Sequence, residues 1–237
     1  MNRENYELYR DSYRYSNQHP VEGCKKYKRT EKVGKEYYDE RSSEYKASQP
    51  EFNGWGSKFS QVIRFDVIIE EMRKDIVFNR PYITTHEFKV LDFGCGSGEL
   101  KNYLPREFSY LGIDIREDIE GIDIYGGVDI FDENFEQFLS DNAFKPDYCV
   151  ASGSLAFMEV PEVERVIARL LELAKNGVVF NLLDAKSDYM GDERVVHVQR
   201  KRFFSYIFNN YRVEKKYEVR MRTDYFPDED FTIGIFK

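Results

Sequence analysis

Cysteine is scarce in this 237-residue chain: Cys24, Cys95 and Cys149 are widely separated and odd in number. That pattern supplies neither a disulfide framework nor a zinc cluster. Histidine is equally sparse, limited to His19, His86 and His197. A histidine-rich metal centre is therefore not expected, and no metal is assigned. No apolar run approaches the ~20 residues of a membrane span. The opening Met1-Asn2-Arg3-Glu4-Asn5-Tyr6 lacks the apolar core of a secretory signal, so a cytoplasmic location without membrane association is expected. An excess of basic charge is also missing, with 35 Lys and Arg against 43 Asp and Glu and a net charge of −8. Nucleic-acid binders usually present a basic face. The balance weighs against a DNA or RNA substrate, although a local basic patch can sit within an acidic total.

The length allows one full domain with an appendage. Residues 1–60 are rich in Tyr, Lys, Arg and Glu and poor in aliphatic side chains. They cannot form a core alone, and their tyrosines read better as docking onto a neighbour than as decoration of a tail. Helices are expected at 5–13 and 32–46, and an amphipathic helix at 61–78 with an apolar stripe of Val62, Phe65, Ile68, Ile69 and Met72. From residue 89 strands and helices alternate, which implies a parallel sheet with covering helices. Strands are expected at 89–93, 110–114, 127–130, 147–151 and 178–182, and helices at 98–103, 134–140 and 161–173. A helix at 202–209 then precedes strands at 212–221 and 231–236, whose short connection predicts antiparallel pairing.

Chemistry concentrates in Asp92-Phe93-Gly94-Cys95-Gly96-Ser97-Gly98, a glycine loop at the end of the first strand. Glycines at this spacing let backbone turn tightly and approach a ligand that a Cβ would repel. Loops of this kind bind nucleotide-like molecules in open α/β sheets. A pyrophosphate beside Asp92 would meet repulsion of roughly 4 kcal/mol at 4 Å and an effective dielectric of 20. A ligand with an ammonium and a sulfonium would be attracted by a similar amount, so the loop suits S-adenosylmethionine better than NAD or ATP. Asp114, followed by Ile115, ends the next expected strand, where a carboxylate can accept from both ribose hydroxyls. Asp129 and Ile130 follow the third, in reach of an adenine amino group, with a turn or helix-capping role for Asp129 as the alternative. Ser152 is expected at the cofactor, with Ser152-Gly153-Ser154 leaving room over it, and Phe157 is either a wall of the acceptor pocket or plain core.

The run 90–100, with Gly112-Ile113-Asp114 and Asp129, resembles the class I S-adenosylmethionine-dependent methyltransferases over roughly residues 35–237. The resemblance implies an α/β, Rossmann-like fold with a seven-stranded mostly parallel sheet and an antiparallel C-terminal hairpin. Residues 1–60 would form a helical N-terminal extension or lid, and 61–237 the methyltransferase domain. It further implies that Asp92, Gly94, Cys95, Gly96 and Gly98 hold the methionine part, Asp114 the ribose and Asp129 the adenine end. Tyr38 and Tyr45 are similar to the tyrosines of a helix that many of these enzymes fold over the cofactor. The segment from Trp55 to Arg64 resembles a bacterial subgroup of unassigned small-molecule methyltransferases, in which it would approach the methionine carboxylate. A guanidinium can grip a carboxylate through two hydrogen bonds, although Arg64 also reads as a surface residue on the helix's polar face.

A hydroxyl acceptor must lose a proton. His197, with an ordinary pKa near 6.5, is the leading candidate base, against Asp188, Glu159 and the alternative of a packed histidine. The chain has Ala151-Ser152-Gly153-Ser154 where nucleic-acid amino-methyltransferases carry Asp/Asn-Pro-Pro-aromatic. The subgroup resemblance points instead to a small-molecule acceptor, a sugar or polysaccharide precursor. The alternatives are a protein or nucleic-acid methyltransferase, a non-catalytic S-adenosylmethionine-binding or partner-activating module, and an NAD-dependent dehydrogenase. The sequence leaves the oligomeric state open.

Overall fold

The computed structural model describes residues 35–44, 46, 49, 57–81, 87–187, 194–226 and 229–237. Tyr45, Trp55, Asp188 and the helix expected at 5–13 lie outside the described residues. Helix α1 spans Lys35–Glu44 and α2 spans Lys58–Asn79. Strands β1 (Phe88–Phe93), β2 (Phe108–Ile113), β3 (Glu120–Gly121) and β4 (Ile124–Tyr125) follow, then helix α3 (Phe135–Asp141). Strand β5 (Tyr148–Ala151), helix α4 (Val160–Leu173) and strand β6 (Gly177–Leu183) complete the alternating part. Helix α5 (Arg200–Ile207) precedes strands β7 (Glu218–Arg222) and β8 (Asp230–Phe236).

These strands form one sheet in the order β3-β4-β2-β1-β5-β6-β8-β7. The pairs β1–β2, β1–β5, β2–β4 and β5–β6 are parallel, and β8 runs antiparallel to both β6 and β7. The expected α/β architecture and C-terminal hairpin are present, with eight strands rather than seven. The third strand falls at Ile124–Tyr125, ahead of the expected 127–130, because a tight turn pairs it with Glu120–Gly121. Residues 98–103 form only a short 3₁₀ turn, Glu99–Asn102, rather than a full helix. The strand expected from 212 starts at Glu218, because α5 continues as wider π-type turns over Phe208–Glu214.

Side chains alternate between the two faces of a strand. One face of the sheet packs Leu91, Cys149, Val178, Phe180 and Ile233 against α3, α4 and α5. The other packs Val90, Tyr148, Val150, Val179 and Phe236 against Phe65, Ile68, Ile69 and Met72 of α2. Ser57 caps α2, its hydroxyl accepting the Ser60 N–H at 3.1 Å. Glu159 and Glu162 form a capping box on α4, with Pro161 in its first turn, where a missing N–H costs nothing. Among the described residues no helix is long and apolar enough to cross a membrane.

Asp75 ties α2 to the sheet. It is fully buried and accepts from the Tyr148 hydroxyl (2.6 Å), Arg80 Nε (3.0 Å) and Asn79 Nδ2 (2.7 Å). Removing one member of a buried charged network strands the others without partners. Asp75→Ala is therefore expected to destabilise the fold by roughly 3–5 kcal/mol. Urea denaturation measures this, and a loss below about 1 kcal/mol would place the network outside the stabilising core.

Candidate functional site

A cleft opens at the C-terminal ends of β1, β2 and β5, lined by Tyr38, Gln61, Phe65, Asp92, Gly94, Cys95, Gly96, Glu99, Asp114, Arg116 and Ser152–Ser154. The parallel register sets Asp92 opposite Gly112 and Phe93 opposite Ile113. Beyond Phe93 the chain folds straight back, and the N–H groups of Gly94 (2.8 Å) and Cys95 (3.0 Å) both donate to the Ile113 carbonyl. Such a reversal needs the left-handed region, and Gly94, Gly96 and Gly98 have φ of 67°, 53° and 72°. A Cβ at Gly94 would lie 2.3 Å from Ser154 Cβ, and one at Gly98 would lie 2.2 Å from Ile124 Cδ1.

Two carboxylates are buried in this turn. Asp92 is 3 % exposed and accepts the Tyr110 hydroxyl at 2.8 Å. Burial pushes its pKa up to about 7, with the Asp114 charge adding to the rise and the Tyr110 bond opposing it. Asp114 is 8 % exposed and accepts the N–H of Gly96 (2.9 Å) on one oxygen and that of Arg116 (3.0 Å) on the other. Its pKa is also raised by burial, with those backbone bonds pulling against the rise. A carboxylate offers about four lone-pair positions, so Asp114 keeps capacity for a ligand. Burial and the neighbouring acids likewise raise the Cys95 thiol, which stays protonated.

Helix α1 closes over the cleft. The Arg116 guanidinium stacks on the Tyr38 ring at 5.0 Å, and Tyr38 meets Phe157 edge-on at 5.7 Å. Phe157 is 3 % exposed and also packs on Tyr37 at 4.8 Å, so it supports α1 and is not among the lining residues. Arg64 pairs instead with Asp230 at the start of β8 and stacks on Phe226 at 4.9 Å. Asp129 accepts the Phe131 N–H at 2.8 Å in a tight turn, Ile130 is fully buried and Ile115 is 42 % exposed. None of these four lines the cleft.

Beyond the cleft a strap carries His197. On its two sides Val196 donates to the Ala156 carbonyl (2.7 Å) and Val198 to the Leu183 carbonyl (2.9 Å), which ties it to the β5–α4 turn and the end of β6. His197 Nε2 is buried without a hydrogen-bond partner among the described residues. Tyr110, Glu99 and Arg116 received no role from the sequence, and Gln61 only as part of the segment from Trp55 to Arg64. A detectable signal existed for Tyr110, which lies two residues before Gly112 and hence on the face of Asp92. Glu99 carries no comparable mark.

Residues 54–222 match the protein-family model described as a methyltransferase domain. Among solved structures, magnesium protoporphyrin IX methyltransferase from Synechocystis PCC 6803 with bound SAM superposes with a TM-score of 0.51 at 12% identity, over 86% of this chain and 95% of that one. The small RNA methyltransferase HEN1 superposes with a TM-score of 0.50 at 13% identity, over 73% of this chain. The match spans only 24% of that RNA methyltransferase. At such identities the likeness is one of fold. No curated protein matches the chain in sequence.

The raised Asp92 pKa has a signed consequence for stability. Between the unfolded value near 4 and the folded value of about 7, the native state holds a proton that the unfolded chain has released. Asp92 therefore makes stability fall as pH rises through that window, by up to about 1.4 kcal/mol per pH unit. Asp92→Asn copies the neutral carboxyl and keeps an acceptor for Tyr110. Urea unfolding from pH 4 to 7 is expected to show the wild-type-minus-variant stability falling as pH rises, by up to about 1.4 kcal/mol per pH unit, and a difference independent of pH would refute the raised value.

Proposed function

The chain belongs to the methyltransferase-domain family, as an S-adenosylmethionine-dependent enzyme, and we propose that it methylates a hydroxyl of a small molecule, a sugar or polysaccharide precursor. The cleft's donor set fits the cofactor: two buried carboxylates suit a cationic ligand and would repel a pyrophosphate. Asp92 and the Gly94–Gly98 loop hold the methionine part, and the spare acceptor positions of Asp114 take the ribose hydroxyls. Tyr38 covers the site, and Asp129, engaged in its own turn outside the cleft, is given no part in holding the adenine. S-adenosylmethionine, when bound, supplies a methyl group on a sulfonium already activated for displacement.

The remaining tasks belong to the protein. A nearby cation draws the Asp92 pKa back down, so the loop is ionised when occupied. Orientation and exclusion of water by α1 account for much of the rate. His197 accepts the acceptor's hydroxyl proton at Nε2. The observation that carries this reading is that buried Nε2, without a partner and anchored on both sides at the β5 and β6 ends.

A radiolabelled-methyl assay on fractionated host metabolites identifies the acceptor. Cofactor binding without turnover on any fraction would favour a non-catalytic binding module. Asp114→Ala is expected to weaken S-adenosylhomocysteine binding at least tenfold by calorimetry with the circular dichroism spectrum unchanged; unaltered affinity would sink the ribose assignment. With the identified acceptor, His197→Ala should lower kcat by about 10²–10⁴-fold, the usual worth of a general base, while the cofactor affinity stays the same. Undiminished turnover would remove His197 as the base.

A further inference from the structure

We propose that Asn181, together with Ser152 and Ser154, forms the acceptor subsite and that it recognises an uncharged, polyhydroxylated molecule through its oxygens. The inference rests on the methyltransferase reading above and assigns the part of the site that the cofactor leaves free. In the sheet order, Asp114 ends β2 on one side of β1, whereas Ser152–Ser154 and Asn181 belong to β5 and β6 on the other. With Asp114 given to the ribose, the polar atoms on the β5–β6 side are left for the acceptor.

Those atoms are unusually placed. Near the C-terminal end of β6, the face toward α2 changes from apolar to polar. Asp92, Asn181, Asp230 and Thr232 alternate with core residues on β1, β6 and β8, and Asn181 pairs directly with Thr232 across the β6–β8 ladder. Three of these four are engaged by other side chains: Asp92 with Tyr110, Thr232 with Tyr225 at 2.7 Å, and Asp230 with Arg64. Asn181 is only 3 % exposed, and its Oδ1 accepts the Gly153 N–H at 2.8 Å. A backbone donor can bond only to the oxygen, so this contact settles which end of the amide is the NH₂. That Nδ2 is buried with no partner among the described residues.

The hydroxyls of Ser152 and Ser154 share this condition, both buried, both without a partner, and both on residues that line the cleft. Ser154 stands directly against the donor loop, since a Cβ on Gly94 would overlap its own Cβ at 2.3 Å. Buried polar groups are normally satisfied, and one left orphaned beside a cleft calls for a partner such as a ligand or an ordered water. The set consists of an amide donor and two hydroxyls, each able to donate and accept, and carries no charge. Carboxylates and phosphates are better met by arginine forks, and an apolar acceptor would leave all three groups unsatisfied. A polyol offers several oxygens within a few ångströms of one another and satisfies them together.

The test uses the S-adenosylhomocysteine-loaded protein with D-glucose, D-mannose and myo-inositol as probes, read by saturation-transfer NMR. Wild type is expected to bind at least one of them, and Asn181→Asp and Ser152→Ala to weaken that binding about tenfold, the worth of one hydrogen bond. Asn181→Asp keeps an oxygen for Gly153 while removing the donor, so it separates recognition from folding. Calorimetry with S-adenosylhomocysteine is run on each protein. Its failure on wild type would overturn the methyltransferase reading itself. Retained S-adenosylhomocysteine binding with no polyol binding, or with polyol binding equal in wild type and Asn181→Asp, would overturn the acceptor subsite alone.

Discussion

Asp92 and Asp114 are two acids buried at the ends of adjacent parallel strands, and the architecture around the cleft is organised by what it takes to keep them there. Taking carboxylates out of water is costly unless they are hydrogen-bonded or neutralised. The fold offsets this with the Tyr110 hydroxyl on Asp92 and two backbone N–H groups on Asp114. One of those N–H groups belongs to Gly96, inside the loop itself, so the second strand's carboxylate holds the first strand's turn in shape. The residual cost appears as raised pKa values at both acids. A cationic ligand relieves it, which couples loop geometry to the charge of what binds.

The same logic extends across the sheet. Beneath α2 the lower part of the face is apolar, built from Val90, Val150, Val179 and Phe236. Toward the C-terminal ends of the parallel strands it becomes polar at Asp92, Asn181, Asp230 and Thr232. A strand's two-residue period makes this transition possible without disturbing the opposite face, whose core is apolar. Stability and chemistry thus occupy different heights of one surface. Asp75 anchors the apolar end, and the cleft occupies the polar end.

The order of strands and helices after residue 88 was legible because apolar runs, glycine turns and Pro161 mark local structure directly. The glycine loop and Asp114 were legible for the same reason, since their spacing reflects one strand–turn–strand unit. Errors arose where a local turn, a frayed helix end or a distant partner overrode the apolar pattern. The third strand formed at Ile124–Tyr125 because a turn pairs it with Glu120–Gly121, and the apolar residues at 128 and 130 serve the core instead. Strand β7 began six residues late because α5 unwound gradually through Phe208–Glu214. Arg64 satisfied the chemistry of a carboxylate clamp on paper, but Asp230, 166 residues away in sequence, took its Nε.

By itself the sequence determined the proposed donor side of the cleft: an acid, three glycines and a second acid at fixed spacing, all within 23 residues from Asp92 to Asp114. Local spacing suffices there because two neighbouring strands and one turn bring those groups together. The proposed acceptor side was decided only by tertiary structure. Ser152, Asn181 and His197 are meaningless as a pattern in the chain. Ser152 and Asn181 come together only after β5 and β6 pair, and the neighbours of His197 reach Ala156 and Leu183 only in the folded chain. Which polar atoms remain without partners is a property of the packed whole, because every other donor and acceptor must first be accounted for.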